Sequence, residues 1–312
     1  MCVKNYSTFA KILALSAQQL KWVYLITLAF MWGSSFILIK KGLVGLTPIQ
    51  VGAFRVVITS MILIAFGFKS LKNIPKSAWK WLAVSGLIGT LLPSFLFAYA
   101  ETEIDSAVAS ILNSTVPLLA LLVGVFFFKA GFIKAQFFGV SIGLMGCVVL
   151  ILIGANINPN QNYWYATLPV IASLMYAFNA NVIKTYLQHL SALGIATGSF
   201  LLLLLPAIVI LAFTGFFDVK YLQQPETQTS LLYVALLALI GTALAKIIFN
   251  RLIQLSDPVF STSVTYLIPV VALFWGVLDG EAFNLWQLVA GGIILLGVYL
   301  SNTKRKTKRS IS

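Results

Sequence analysis

The sequence predicts an all-α polytopic membrane protein with ten transmembrane helices in two inverted five-helix repeats. Three observations predict it. Ten apolar stretches of spanning length divide the 312 residues. Positive charge is spread unevenly over the connections, with five Lys/Arg gathered in the tail segment 304–309. A stretch of the first half also recurs in the second in a shared register. Composition agrees, since 60% of the residues are hydrophobic and 9% charged, where a soluble domain carries about a quarter charged. A water-soluble core of this size could not hide so much apolar surface, whereas lipid accepts it.

Composition also excludes function classes. The formal charge of +13 would point to nucleic acid in a soluble chain. Here the positive residues punctuate apolar runs, so the expected partners are the lipid bilayer and a small-molecule substrate, with no nucleic acid. Cys2 is terminal and Cys147 lies mid-span, which is neither a disulfide framework nor a metal pattern. His189 is the only histidine. No catalytic residue, metal or cofactor is therefore expected. An intramembrane enzyme would need a nucleophile with its base, or clustered ligands, at membrane depth.

Residues 1–19 form a mixed polar segment carrying Lys4 and Lys11. The apolar run from Trp22 to Ile39 is longer than a signal-peptide core and has no small-x-small cleavage site after it, so it reads as a retained first span. At about 20 residues per crossing, the spans fall at 20–40, 47–67, 80–100, 106–128, 136–154, 163–185, 193–214, 231–250, 258–278 and 284–301. Gly45 to Pro48, Asn73 to Pro75, Asn156 to Asn162 and Asp279-Gly280 supply turn chemistry at the breaks. Only the 215–229 connection is long. The expected organisation is a cytoplasmic segment 1–19, a first repeat 20–154, a second repeat 163–302 and a basic tail 303–312.

Orientation follows from the positive-inside tendency. With a cytoplasmic N-terminus, seventeen of the 21 Lys/Arg fall inside, while Lys40, Lys41 and Lys220 fall outside and Arg55 lies within the second span. Seven of the eight acidic residues fall outside and Asp257 inside. Both termini are expected to be cytoplasmic.

The repeat rests on Leu87-Ile88-Gly89-Thr90-Leu91-Leu92 and Leu239-Ile240-Gly241-Thr242-Ala243-Leu244, which match at five of six positions. At the same offset Asp105 meets Asp257, Pro117 meets Pro269 and Gly124 meets Gly276. Five spans per copy is an odd number, so the second copy must cross in the opposite sense, as in inverted-repeat carriers.

Polar and aromatic residues at middle depth mark the candidate substrate-binding set: Trp32, Ser34, Ser35, Arg55, Asn113, Thr115, Tyr176, Asn179, Thr242, Lys246, Thr265 and Tyr266. For each one, ordinary helix packing is the competing explanation. Arg55 lies about 12 Å along its span at about 1.5 Å per residue. An uncompensated arginine there costs roughly 2.5–3.5 kcal/mol, so it faces a cavity or snorkels to the rim. Lys246 lies about one turn from the inner end of its predicted span, where snorkelling competes strongly. No Asp or Glu falls mid-span, so passive exchange or facilitated movement is expected, without a direct proton relay. Pro93, Pro117, Pro206 and Pro269 interrupt spans and can kink them. Gly139 and Gly143 form a small face for another helix or for a second copy in a homodimer.

Trp32-Gly33-Ser34-Ser35-Phe36, Arg55, Pro117, Pro269 and Trp275-Gly276-Val277-Leu278-Asp279-Gly280-Glu281 together resemble the EamA family of the drug/metabolite transporter superfamily. The resemblance covers roughly 20–302. It implies a ten-helix inner-membrane carrier, often an exporter of amino acids or related metabolites. The second copy begins Tyr176-Ala177-Phe178-Asn179 and does not repeat the Trp-Gly-Ser pattern. The expected function is a secondary transporter exporting a small amphipathic metabolite, such as an amino acid, by alternating access. The alternative is an organic-anion or nucleotide-type exchanger, which Arg55 and Lys246 favour slightly. A non-transporting scaffold is the remaining class, and it would be packed solid at its centre.

Overall fold

Lipid offers backbone groups no hydrogen-bond partner, so a chain that enters it must satisfy those groups within itself. The computed structural model describes residues 16–131, 134–157, 162–280 and 285–301. They form helices α1 (Gln18–Gly42), α2 (Pro48–Leu71), α3 (Lys76–Ala100), α4 (Ser106–Phe128), α5 (Lys134–Ile157), α6 (Trp164–Leu187), α7 (Ala192–Ala212), α8 (Pro225–Leu255), α9 (Pro258–Leu278) and α10 (Leu285–Ser301). Among the described residues there is no strand. Eight of these helices are long and apolar enough to cross a membrane; α5 and α10 carry the shorter apolar stretches Phe137–Gly146 and Leu288–Gly297. The basic tail 303–312 and most of the segment 1–19 lie outside the described residues.

The helix starts follow from capping chemistry. Ser16 Oγ accepts from Gln19 N at 3.2 Å and Gln19 Oε1 from Ser16 N at 2.8 Å, a reciprocal box that satisfies two orphan donors. Thr47 and Gln50 repeat it before Pro48, which needs no donor in the first turn. Ser191 and Asp257 cap α7 and α9 through Gly194 N and Phe260 N.

Large apolar side chains face outward as well as inward, unlike those of a soluble protein. Phe66, Phe126 and Phe213 are 82%, 76% and 88% exposed, as lipid-facing rings should be. Gln50, Thr59, Ser60, Asn179, Asn181, Thr197 and Asn250 are buried. Their bonds tie helices together: Ser60 Oγ reaches Phe200 O at 3.0 Å and Asn181 Nδ2 reaches Ala120 O at 3.0 Å. The interior holds two large apolar clusters. One contains Phe36, Val51, Phe97, Val108 and Val234. The other contains Leu28, Leu82, Ile183, Leu187 and Leu252. Trp32 packs against both.

Four helices are irregular at middle depth. In α3 and α8 the segments Leu87–Leu91 and Leu237–Leu244, which hold the two copies of the repeated Leu-Ile-Gly-Thr, are π-helical. In α4 and α9 the helix breaks just before Pro117 and Pro269, because proline can begin a helix but cannot donate within one. The two breaks touch: Ser114 Oγ donates to Thr265 O at 2.8 Å. Irregular backbone at such depth is tolerated only where protein buries it or a cavity meets it.

One expectation is corrected here. Helix α8 starts at Pro225 and runs to Leu255, longer at both ends than 231–250, because Pro225 opens it and its last turns pack inside. Glu101, in the connection after α3 as expected, is buried there, and its Oε2 accepts from Ser106 Oγ at 2.9 Å. Of the two partners expected for the Gly139 and Gly143 face, another helix is the one seen: a Cβ on Gly297 of α10 would lie 2.5 Å from Gly139 O and 2.6 Å from Gly143 Cα.

Candidate functional site

Members of both apolar clusters line a cavity of about 80 Å³, counted as room for the centres of water molecules. Its polar lining comes from Ser35 of α1, Arg55 of α2, Thr90 of α3, Asn113 of α4, Asn179 of α6, Lys246 of α8, and Thr262 and Thr265 of α9. Its aromatic lining comes from Trp32, Phe36, Phe97, Tyr176 and Phe249. Trp32 meets Phe249 edge-on at 5.0 Å, and Phe97 stacks with Tyr176 at 6.1 Å. The wall is thus a ring of apolar faces broken by a few polar groups, the usual composition of a small-molecule site.

Local backbone chemistry places those groups. Pro93 has no N–H to give the carbonyl four residues back, which is that of Gly89. That carbonyl instead accepts from Lys246 Nζ. In the other copy, the Gly241 carbonyl accepts from Trp32 Nε1 at 3.0 Å. The two π-helical segments therefore each present a glycine carbonyl to a side chain of the cavity wall. π-Bulges recur at functional sites for this reason, because they release backbone groups from the helical ladder. Thr242, beside Gly241, accepts from Arg55 Nε at 2.7 Å while donating to Leu237 O at 3.1 Å. Asn179 accepts from Ser85 Oγ at 2.6 Å. A satellite void of about 10 Å³ beside Asn179 and Lys246 borders Ser199, whose buried Oγ has no partner among the described residues. It has about the volume that one water requires.

Of the twelve candidates, eight line this cavity: Trp32, Ser35, Arg55, Asn113, Tyr176, Asn179, Lys246 and Thr265. Four do not. Ser34 is turned toward α9, where its Oγ accepts from Trp275 Nε1 at 3.0 Å. Thr115 donates to Leu112 O at 2.8 Å and mends the break in α4. Thr242 stands behind Arg55 and holds it. Tyr266 packs with Ile111 and Ala290. Each was selected for polarity and depth, which say nothing about the angle at which a side chain leaves its helix. The snorkelling expectation for Lys246 is also overturned: α8 continues nine residues past it, to Leu255, and Lys246 points inward. Ile39, Gly89, Phe97, Val116, Gly241 and Phe249 line the cavity and were not candidates. The repeated Gly-Thr pair was the one signal that could have found two of them.

The two rims are built differently. At one, Lys40 Nζ lies 3.0 Å from Asp279 Oδ2, and Lys41 pairs with Asp279 Oδ1. The hydrogen bond from Lys41, helped by Lys40 and opposed by partial burial, holds the Asp279 carboxyl below the usual carboxylate range. Nearby, Tyr221 OH donates to Gly45 O at 2.6 Å, and burial pushes its hydroxyl above the usual phenol value. At the other rim Lys184 Nζ donates to Ser256 O at 2.6 Å and Gln254 Nε2 to Leu190 O at 2.7 Å. Residues that charge counting assigns to one face thus meet at one rim.

A bundle of apolar helices around an aromatic and basic cavity, with broken backbone beside it, defines a polytopic membrane protein. Comparison with known proteins makes this particular. The EamA-like transporter family matches over residues 20–152 and 163–303, and the chain belongs to that family. The uncharacterized inner membrane transporter YedA of Escherichia coli (strain K12) is 28% identical over 283 residues, 88% of each chain. The uncharacterized transporter YdfC of Bacillus subtilis (strain 168) is 25% identical over 285 residues, again 88% of each. The S-adenosylmethionine/S-adenosylhomocysteine transporter of Chlamydia muridarum is 22% identical over 289 residues, 89% of this chain and 90% of that one. A crystal structure at 18% identity superposes with a TM-score of 0.67 over 90% of this chain and 95% of the other, which shows the fold.

Proposed function

We propose that this chain is a secondary transporter that moves a small amphipathic metabolite out across the bacterial inner membrane by alternating access. It crosses ten times as two inverted repeats, 20–154 and 163–302, with both termini cytoplasmic. The observation that carries the reading is the cavity itself: both halves line it, and both apolar clusters contribute to its wall, Phe36 and Phe97 from one and Phe249 from the other. A scaffold would gain by filling that space with side chains, since a void forfeits packing contacts. Alternating access requires the chamber to open to one side at a time. The matched π-helical segments and the matched breaks at Pro117 and Pro269 support two related halves able to exchange such shapes. No nucleophile with a partnered base lines the cavity among the described residues, which supports transport over catalysis.

The test begins with metabolite profiling of cells overproducing the full chain, followed by flux of the altered compound in proteoliposomes. Saturable flux that exceeds protein-free liposomes is expected; a cavity whose depleted metabolite shows no flux in either direction would overturn the reading. Topology is tested separately. With Cys147→Ser, Cys2 should react with an impermeant maleimide only after the cytoplasmic face is exposed, and a cysteine appended to the C-terminus should behave identically. Labelling of the two ends from opposite faces would rule out an even number of crossings.

A further inference from the structure

The cavity carries two cations and no carboxylate among its described lining residues. Among the described residues Arg55 spends only Nε, on Thr242, so its two Nη groups keep their donors there. Lys246 spends one donor, on Gly89 O, and stands 5.7 Å from the Tyr176 ring centroid. Glu101 accepts from Ser106 Oγ, is not among the lining residues, and interacts electrostatically with Arg55. Inside a membrane such cations mark solute pathways, and two of them facing one space without a carboxylate beside them favour a negative ligand there. A second observation points the same way. Asn113 is 5% exposed, lines the cavity, and its amide oxygen has no hydrogen-bond partner among the described residues. A buried amide left unsatisfied is costly unless something fills the role.

We propose that the cavity is a receptor for a small organic acid of net negative charge, its anionic head held between Arg55 and Lys246, its apolar or aromatic body against Trp32 and Tyr176, and a hydroxyl or amide of the ligand on Asn113. Guanidinium suits a planar carboxylate through paired N–H groups, and charge-assisted bonds of this kind are about twice as strong as neutral ones. A zwitterionic amino acid would place its ammonium within a few ångströms of both cations, with neutral amides and hydroxyls but no carboxylate among the described lining residues to receive it. A cation would meet repulsion with no anionic head to offset it. This inference rests on the transport reading for its meaning but is tested apart from it.

The experiment uses the full chain in detergent and in proteoliposomes, with five probes that share a phenyl body: phenylacetate, phenyl phosphate, phenylalanine, 2-phenylethanol and 2-phenylethylamine. Titration calorimetry on the unmodified protein should rank phenylacetate or phenyl phosphate above phenylalanine and the alcohol by roughly 10- to 100-fold, the ratio that one charge-assisted bond supplies, with the amine weakest. The two acids separate a carboxylate from a phosphate seat. Arg55→Gln and Lys246→Met should each remove that preference, and Arg55→Lys should restore part of it, in protein whose Tm shows it folded. Because the ranking is read first on the unmodified chain, a misfolded variant does not decide the outcome. Phenylalanine or the amine binding as tightly as the acids, or neither acid binding at millimolar concentration, overturns the proposal. If the acids bind but none crosses the liposome membrane, the transport reading fails while the receptor stands. If phenylalanine crosses and the acids do not, transport stands and the anion receptor falls.

Discussion

Gly89 lies where a single methyl group should unsettle the cavity wall. A Cβ there would sit 2.5 Å from Asn179 Cγ and 2.8 Å from its Oδ1, and closer still to Nδ2, where ordinary contact begins at 3.4 Å. Asn179 is 2% exposed and held by Ser85 at 2.6 Å, so it cannot retreat without losing that bond. Overpacking of this kind costs about 1–3 kcal/mol, and the lost hydrogen bond adds about 0.5–1.5 kcal/mol. The better helix propensity of alanine returns about 0.4–1 kcal/mol, leaving Gly89→Ala destabilised by roughly 1–3 kcal/mol. Gly291 of α10 is the control: nothing lies within 4 Å of its Cβ position, so Gly291→Ala should be neutral or slightly stabilising. The assay is thermal unfolding of each purified variant, with each kcal/mol moving Tm by about 2 °C in a chain of this size. Gly89→Ala with Asn179→Ala should unfold no lower than Asn179→Ala alone, because the colliding amide is gone. A Gly89→Ala protein with unchanged Tm, or a double variant destabilised by the sum of the single effects, would refute the packing described here.

Three further outcomes are expected. Asp279→Asn should cost at most about 1 kcal/mol, since both ion pairs are partly solvated, and it should change the acid limb of stability. The carboxyl is held below its ordinary value, so its contribution is complete above about pH 4 and disappears as pH falls through the lowered value; unfolding from pH 7 down to pH 3 should show that loss in the parent and not in the variant. Trp32→Phe keeps a ring against Phe249 but strands the Gly241 carbonyl, so Tm should fall by the equivalent of about 0.5–1.5 kcal/mol, with altered KM for any transported solute. Gly45→Ala brings a Cβ within 2.5 Å of the Glu226 backbone, which no rotamer change can relieve. It should lower Tm by the equivalent of about 1–3 kcal/mol or more, and a wild-type melting curve would show that this rim contact is absent.

Much of the site was legible because membrane chemistry makes polarity conspicuous. Arg55, Asn113, Asn179 and Lys246 stood out in apolar runs, and each lines the chamber. Ser34, Thr115 and Tyr266 stood out equally and face elsewhere, since depth along a helix can be counted from sequence while azimuth depends on which neighbour each helix packs against. Lys246 illustrates the cost of a misplaced helix end: five extra residues at the C-terminus of α8 move it from the rim to the interior. Phe97 and Phe249 gave no signal at all, because 13% of this chain is aromatic and any ring can be packing.

Sequence alone determined that the chain is helical and apolar enough for lipid, where most helices begin and end, and that Leu-Ile-Gly-Thr occurs twice. Those properties follow from composition, capping residues and proline, all of which act within a few residues of themselves. Only the tertiary structure decided that the repeated Gly-Thr stretches are π-helical, that the Gly89 carbonyl left by Pro93 is taken by Lys246, and that Arg55 is braced by Thr242 across 187 positions. Such pairings join groups far apart in the chain, and they form only when packing brings particular helix faces together.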